Sequence, residues 1–212
     1  MKNSVKIAIQ AGLIVVAIVL AFLIYRSIMQ PVNFNRNVDA RKAVLVQQMK
    51  DIRKVQQEHK KAYGSYIPTG DSLITFLREG EVPYVKMIGT VPDSLTEEEA
   101  VAKGIVSRET FTENAFAVLF PEHQNDKEAF LNQLMRVPFS QSGQMIDMEA
   151  GFISKSGYQV PVFEAKVLYE HLLEGLNEQQ ITNKIAQEKT YNRSPGIKVG
   201  SMTEAIPEGN WE

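Results

Sequence analysis

The residues most able to do chemistry are three histidines and two groups of carboxylates. His59, His123 and His171 stand far apart in the chain, and none lies at metal-ligand spacing from another histidine. His171 has Glu170 beside it and Glu174 three residues on. That spacing suits either two arms of a metal site or a solvated helix face. Asp147 and Glu149 alternate with Ile146 and Met148, so on a strand they would share one face. Two carboxylates on one face are the least that glycoside hydrolysis needs, and they are also what a wet sheet face ordinarily carries. Glu97, Glu98 and Glu99 fall in the first turn of an expected helix, where the macrodipole favours negative charge. The chain has no G-x-S-x-G elbow, no P-loop and no G-x-G-x-x-G turn. It has no cysteine, so thiolate chemistry and disulfides are excluded. The expectation is a protein without catalytic residues, cofactor or metal. An anchored hydrolase acting through Asp147 and Glu149 is the one catalytic alternative.

Net charge narrows the partners. The 212 residues carry a formal charge of −2, but Lys2, Lys6 and Arg26 sit in the first 26 residues with no acid among them. The remainder is mildly acidic, which disfavours nucleic acid as a partner.

The strongest element is apolar. Ile7 to Tyr25 contains only one strongly polar residue, Gln10. Nineteen residues of helix reach about 29 Å, close to the ~30 Å hydrocarbon core of a bilayer. The run is too long for a signal-peptide core and lacks a small-x-small cleavage site, and Tyr25 and Arg26 suit an interfacial anchor. The expected organisation is a cytoplasmic tail at 1–6, a transmembrane helix at 7–28 and an elbow at 29–37. An extracytoplasmic domain at 38–192 and an extended tail at 193–212 would follow. Gln30-Pro31 motivates the elbow, since proline removes a backbone donor and disfavours helix before it.

Beyond the elbow, Val38 to Tyr63 has helical periodicity, with Leu45, Met49, Ile52, Val55, His59 and Ala62 on one stripe. The stripe either packs on its own domain or pairs with another helix, although Lys42 and Gln56 would then occupy the seam. His59 on that stripe reads as a half-buried packing residue. Gly64 and Pro68 end the helix. A short helix follows at Leu73 to Arg78, capped by Asp71 or Ser72. Strands are expected at Val82 to Ile88, Ile105 to Ser107 and Ala115 to Phe120. Ser94-Leu95-Thr96-Glu97 suggests a capping box, and Lys127 to Leu134 a helix. Gln144 to Ser154 and Tyr158 to Val167, joined by Lys155-Ser156-Gly157, read as a hairpin. Helices are expected at Leu168 to Gly175 and Glu178 to Lys189. The fold class is α+β: a transmembrane helix, a long amphipathic helix, then mostly antiparallel sheet with short helices. Leu45, Met49, Ile52, Val55, Val160, Val162 and Phe163 form the candidate interaction surface.

The order of parts has a parallel. An apolar helix leads into an amphipathic one ending in Gln56-Gln57-Glu58-His59-Lys60-Lys61-Ala62-Tyr63-Gly64-Ser65-Tyr66-Ile67-Pro68, followed by a short helix with Leu73 and Leu77. Residues 5–80 resemble the first third of type IV pilins and type II secretion pseudopilins. Where those proteins have phenylalanine and then glutamate after the processed glycine, Leu13 and Ala17 follow Gly12 here. The remainder, including Gly209-Asn210-Trp211-Glu212, is similar to a bacterial envelope protein family. The resemblance implies a long helix packed on an antiparallel sheet, membrane helices that bundle, and a single-pass protein of the bacterial inner membrane. The expected partners are the lipid bilayer and an envelope protein or a second copy. The function implied is that of an envelope-assembly subunit or scaffold. The alternative is an anchored module that binds a peptide, glycan or exported client.

Overall fold

The computed structural model describes residues 2–89 and 96–212. Helix α1 (Lys2–Tyr63) is a single unbroken helix of 62 residues with Pro31 inside it. The expected elbow at 29–37 is therefore helical. Proline removes one intrahelical bond and crowds the preceding turn, at a cost of roughly 3 kcal/mol. Anchoring on both sides of Pro31 offsets that cost. Below it, the apolar run favours helix. Above it, Phe34 and Val38 are already buried in the domain core.

The rest of the chain wraps the upper half of α1. After the helix come α2 (Gly70–Glu79), β1 (Glu81–Ile88), α3 (Glu97–Ala102), β2 (Ser107–Asn114), α4 (Ala115–Leu119) and α5 (Lys127–Leu134). Then follow β3 (Asp147–Lys155), β4 (Tyr158–Leu168), α6 (Tyr169–Leu172), α7 (Glu178–Thr190) and β5 (Gly196–Gly200). Strands β1 and β2 form an antiparallel ribbon, and β3-β4-β5 form an antiparallel three-stranded sheet. The fold is mixed helix and sheet with a long apolar helix at its N-terminal end.

Register explains the core. In the sheet, Met148 pairs with Ala165, Ala150 with Phe163, and Val167 with Ile197. Their shared face meets the stripe of α1, and one hydrophobic cluster takes in Leu45, Met49, Ile52, Val55, Phe163, Ala165, Val167, Ile197 and Val199. Leu73 and Leu77 of α2, Phe116 of α4 and Leu131 of α5 complete it.

Several local expectations are confirmed and several change. Ser156 and Gly157 have φ values of 53° and 85°, the left-handed pair that a type I′ turn needs, and they close the β3–β4 hairpin. The cap of α2 is Thr69, whose side chain accepts from Ser72 N, rather than Asp71 or Ser72. The capping box lies two residues beyond the expected start: Thr96 N donates to Glu99, and Glu99 N donates to Thr96 Oγ1. Ser94 and Leu95 lie outside the described residues. Ala115 to Phe120, read as a strand, is helix α4, started by Asn114 accepting from Phe116 N. An apolar run this short fits either period, and the cap decides. The strand read at Ile105 to Ser107 begins instead at Ser107 and extends to Asn114.

The largest change is at the C-terminus. Residues 196–200, read as part of an extended surface tail, are strand β5, with Gly196, Ile197, Val199 and Gly200 buried. Its glycines are required by close backbone approach: a Cβ on Gly196 would meet Val167 O at 2.2 Å, and one on Gly200 would meet Phe163 O at 2.2 Å. Residues 208–212 then cover the free edge of β5. Gly200 N donates to Glu208 O, Asn210 N donates to Lys198 O, and the Asn210 amide donates to Gly196 O. Glu212 closes the arrangement with an ion pair to Arg53 of α1 at 2.7 Å.

Candidate membrane anchor and interaction surfaces

Helix α1 changes surroundings along its length. From Ile7 to Ile28 the large apolar side chains are bare, each at least half exposed. No other helix among the described residues is long and apolar enough to cross a membrane. From Phe34 upward one face of the same helix is buried, and Leu45, Met49, Ile52 and Val55 are completely covered.

That burial corrects the candidate interaction surface. Leu45, Met49, Ile52 and Val55 are core residues of their own domain, not a face open to another helix. Val162 and Phe163 are also buried, at 2% and 1% exposure, and Val160 is half-buried. Phe163 points into the main core with its ring 4.7 Å from that of Tyr66. Val162 lies on the opposite face beside Gly151, where a Cβ would meet the Met202 methyl at 3.3 Å. Periodicity located these apolar faces but could not say what covers them.

Gln56, a polar residue on the α1 stripe, is fully buried. Its amide nitrogen donates to Ile67 O and its oxygen accepts from Ile67 N, both at 2.8 Å. The same nitrogen lies 3.3 Å from Met148 Sδ on β3. The chain leaving α1 is thereby fastened back onto it. Nearby, half-buried His59 has Nδ1 2.7 Å from Ser65 O, and its ring packs against Tyr63 and Phe76. It is a packing histidine at the helix end.

The other chemistry-bearing residues are also held in structural contacts. His123 Nδ1 lies 3.1 Å from Asp126, and its ring stacks on Phe130. His171 Nε2 is 3.5 Å from Glu170, whereas Glu174 is engaged elsewhere. One Glu174 carboxylate oxygen accepts from the Ser140 hydroxyl, Gln141 N, Ser142 N and the Ser142 hydroxyl, at 2.8–3.1 Å. Arg41 of α1 donates to the carbonyls of Leu172 and Glu174. Among the described residues no group of three or more histidines and acids is placed to hold a metal ion.

Glu174 makes the 140–142 loop sensitive to acid. Hydrogen bonds, first from Ser142 N–H and then from the Ser140 hydroxyl, hold its carboxyl below the ordinary value of 4.5. A depressed folded-state value adds order above the unfolded value and loses it as pH falls through the folded one. After correction for intrinsic rates, exchange at the Gln141 and Ser142 amides should therefore rise only as pH falls below the ordinary glutamate value of 4.5. A Glu174→Gln variant should show the faster exchange at neutral pH as well. Equal protection in both chains at pH 7 would contradict this role.

Asp147 and Glu149 lie on the outer face of the sheet, as alternation predicted, but with lysine among them. Lys166 Nζ is 3.3 Å from Asp147 and 3.8 Å from both Glu149 and Glu164, and Lys198 pairs with Glu164 at 3.0 Å. Partial burial pulls the Lys166 value down, but hydrogen bonding and charge attraction from these acids outweigh it and leave it raised. Two lysines thus hold three acids together across three strands. Beside them, a cavity of about 400 Å³ opens between Asp147, Lys166 and His171.

At the foot of the domain α7 lies beside α1. Asn177 caps α7 by accepting from Gln180 N, and Ile181 and Ile185 pack on the main core. The flank of α7 and the turn of α1 around Pro31 enclose an open groove of about 530 Å³, walled by Ser27, Gln30 and Pro31 on one side and by Gln180, Lys184 and Gln187 on the other.

Comparison with protein-family models, with curated proteins and with solved structures gives no match.

Proposed function

We propose that this chain is a non-catalytic, single-pass membrane-anchored envelope protein, pilin-like in outline, serving as a subunit or scaffold of an envelope assembly. One observation carries the reading: a single helix is apolar from Ile7 to Tyr25, stays bare as far as Ile28, and then becomes the central core helix of a folded domain. Water strongly disfavours the lower half at about 25 cal/mol per Å² of apolar surface, and lipid accepts it. The upper half, laid on an antiparallel sheet, agrees with the layout that the pilin resemblance implies. In this reading the short basic tail lies inside and the domain outside the cytoplasmic membrane. The engagement of His59, His123, Glu174, Asp147 and Glu149 in structural contacts supports a role without catalysis.

The test is purification of the full chain in mild detergent after cross-linking in intact membranes. Cross-linked species containing a second copy or another envelope protein are expected. A strictly monomeric chain with no cross-linked neighbour would refute the assembly role. Intact mass of the N-terminus separates two forms of the reading: a start at Met1 fits a plain anchor, and one at Leu13 fits pilin-type processing.

A second reading, an anchored module binding a peptide, glycan or exported client, is favoured by the cavity beside Lys166 and His171. Saturable binding lost in Lys166→Met but retained in Lys155→Met would support it. Identical binding by both variants would remove it.

A further inference from the structure

We infer that the outer edge of β3 is a docking site for an extended segment of another polypeptide, which joins the sheet as an antiparallel strand. The inference deepens the assembly reading, and its choice of partner rests on the membrane anchor.

The main chain comes first. The three-stranded sheet has two edges, and the chain covers one with its own tail: Gly200 N donates to Glu208 O and Asn210 N donates to Lys198 O. The other edge is β3, nine residues long and paired with β4 alone. Tyr169 N donates to Pro195 O, so Val167 and Ala165, on the same alternation, turn their N–H and C=O groups to β5. Lys166, Glu164 and Val162 then turn theirs to Asp147, Glu149 and Gly151. The N–H and C=O groups of Met148, Ala150, Phe152 and Ser154 are left pointing outward, and no hydrogen bond among the described residues meets them. This row repeats every second residue, about 7 Å, which is the repeat of another strand and not of a sugar or a lipid.

Direction and chemistry come second. Just before β3 the same edge is already occupied: Ile146 N donates to Met135 O, Val137 N donates to Gln144 O, and Arg136 lies antiparallel to Met145. An incoming antiparallel strand prolongs that row. Its C-terminal end meets Glu149, in a cluster where Asp147, Glu149 and Glu164 face only Lys166 and Lys198, so one negative charge is left over. Its N-terminal end meets the exposed Lys155. The segment that fits therefore carries a basic residue opposite Glu149, an acid opposite Lys155, and an apolar side chain beside Phe152, which is 59% exposed.

A second copy of β3 does not fit. Antiparallel pairing of two identical strands takes a two-fold axis perpendicular to the sheet. Helix α1 is packed on the face of that sheet, so the axis would point the two apolar helices in opposite directions, which one membrane forbids.

The experiment uses the full chain in nanodiscs and a synthetic peptide, capped at both ends, that spans Met148 to Lys155. It has glutamate opposite Lys155, lysine opposite Glu149, and valine opposite Ala150 and Phe152. Fluorescence anisotropy should show saturable binding. N-methylation of the amides that face Ala150 and Phe152 should weaken it about tenfold or more, and methylation of the amides that face away should not. Phe152→Pro removes an outward N–H that β4 does not use, so the strand survives, and it should weaken binding about tenfold or more. Phe152→Val keeps the N–H and should retain most of the affinity. Thermal unfolding shows that both variants are folded. No saturable binding, or equal binding by the two methylated peptides, would overturn the site. A disulfide between two Phe152→Cys chains in intact membranes, in a protein with no other cysteine, would put a second copy there and overturn the choice of partner. Cross-linking in those membranes separates the two readings: a chain with cross-linked envelope neighbours that ignores the peptide fails only the edge site, whereas a chain that binds the peptide but has no neighbour fails only the assembly role.

Discussion

Replacing Val16 by arginine is expected to release the chain from membranes. Val16 stands at the middle of the 19-residue apolar run and is bare in the folded chain. An arginine at the centre of a span costs roughly 2.5–3.5 kcal/mol on insertion scales. That corresponds to about a hundredfold change in the insertion equilibrium. No neighbouring acid within a helical turn relieves the charge, because the first 26 residues contain none. The measurement is alkaline carbonate extraction, with Val16→Leu as the control that keeps apolar area. The parent and Val16→Leu should remain in the pellet, and Val16→Arg should move largely to the supernatant. If all three partition alike, the anchor assignment is wrong.

The second large effect is expected at Gln56. Both arms of its amide are bound to the backbone of Ile67, in a place without water. Gln56→Met keeps the length and volume of the side chain but leaves the N–H and C=O of Ile67 without partners. Each buried unmet group costs about 1–3 kcal/mol, so a loss of roughly 2–6 kcal/mol is expected. For a domain of this size that lowers the unfolding midpoint by about 10 °C. Thermal unfolding in detergent, followed by circular dichroism, reads it directly. A midpoint within a degree of the parent would show that the amide is replaceable and that the exit from α1 is held by packing alone. Proline at 68 and glycine at 64 end the helix, but they do not aim the chain that follows; the amide does.

The parts legible in the sequence were those with a local cause. The apolar run of α1, the stripe from Leu45 to Val55 and the turn at Ser156-Gly157 follow from composition, a 3.6-residue period and left-handed φ demands. Helix α7 was marked by Glu178 to Lys189. The parts that were not legible depend on distant residues. Pro31 argued for an elbow, yet Phe34 and Val38 find a core contributed by later segments and keep the helix whole. Strand β5 was obscured by its flanking glycines, which read as loosening elements. Ile197 and Val199, two apart, were the signal that could have revealed it. The candidate interaction surface failed for a related reason. An apolar stripe shows that something must cover it, and only tertiary structure shows that the cover is the chain's own sheet. The groove at the foot of α1 joins residues about 150 positions apart, so no local pattern announces it.

The absence of a joint in α1 gives the molecule the mechanics of a mast stepped in a moving deck. From Arg26 to Tyr63 the helix rises about 56 Å, and ordinary membrane helices lean about 20° from the normal. Such a lean would carry the top of the mast about 20 Å sideways. On the same reading, any bilayer that thins or thickens, and so alters the lean, would swing the upper end of α1 across a wide arc. On the membrane-anchor reading, the reach of the domain over its surroundings would then be set in part by the thickness of the bilayer beneath it.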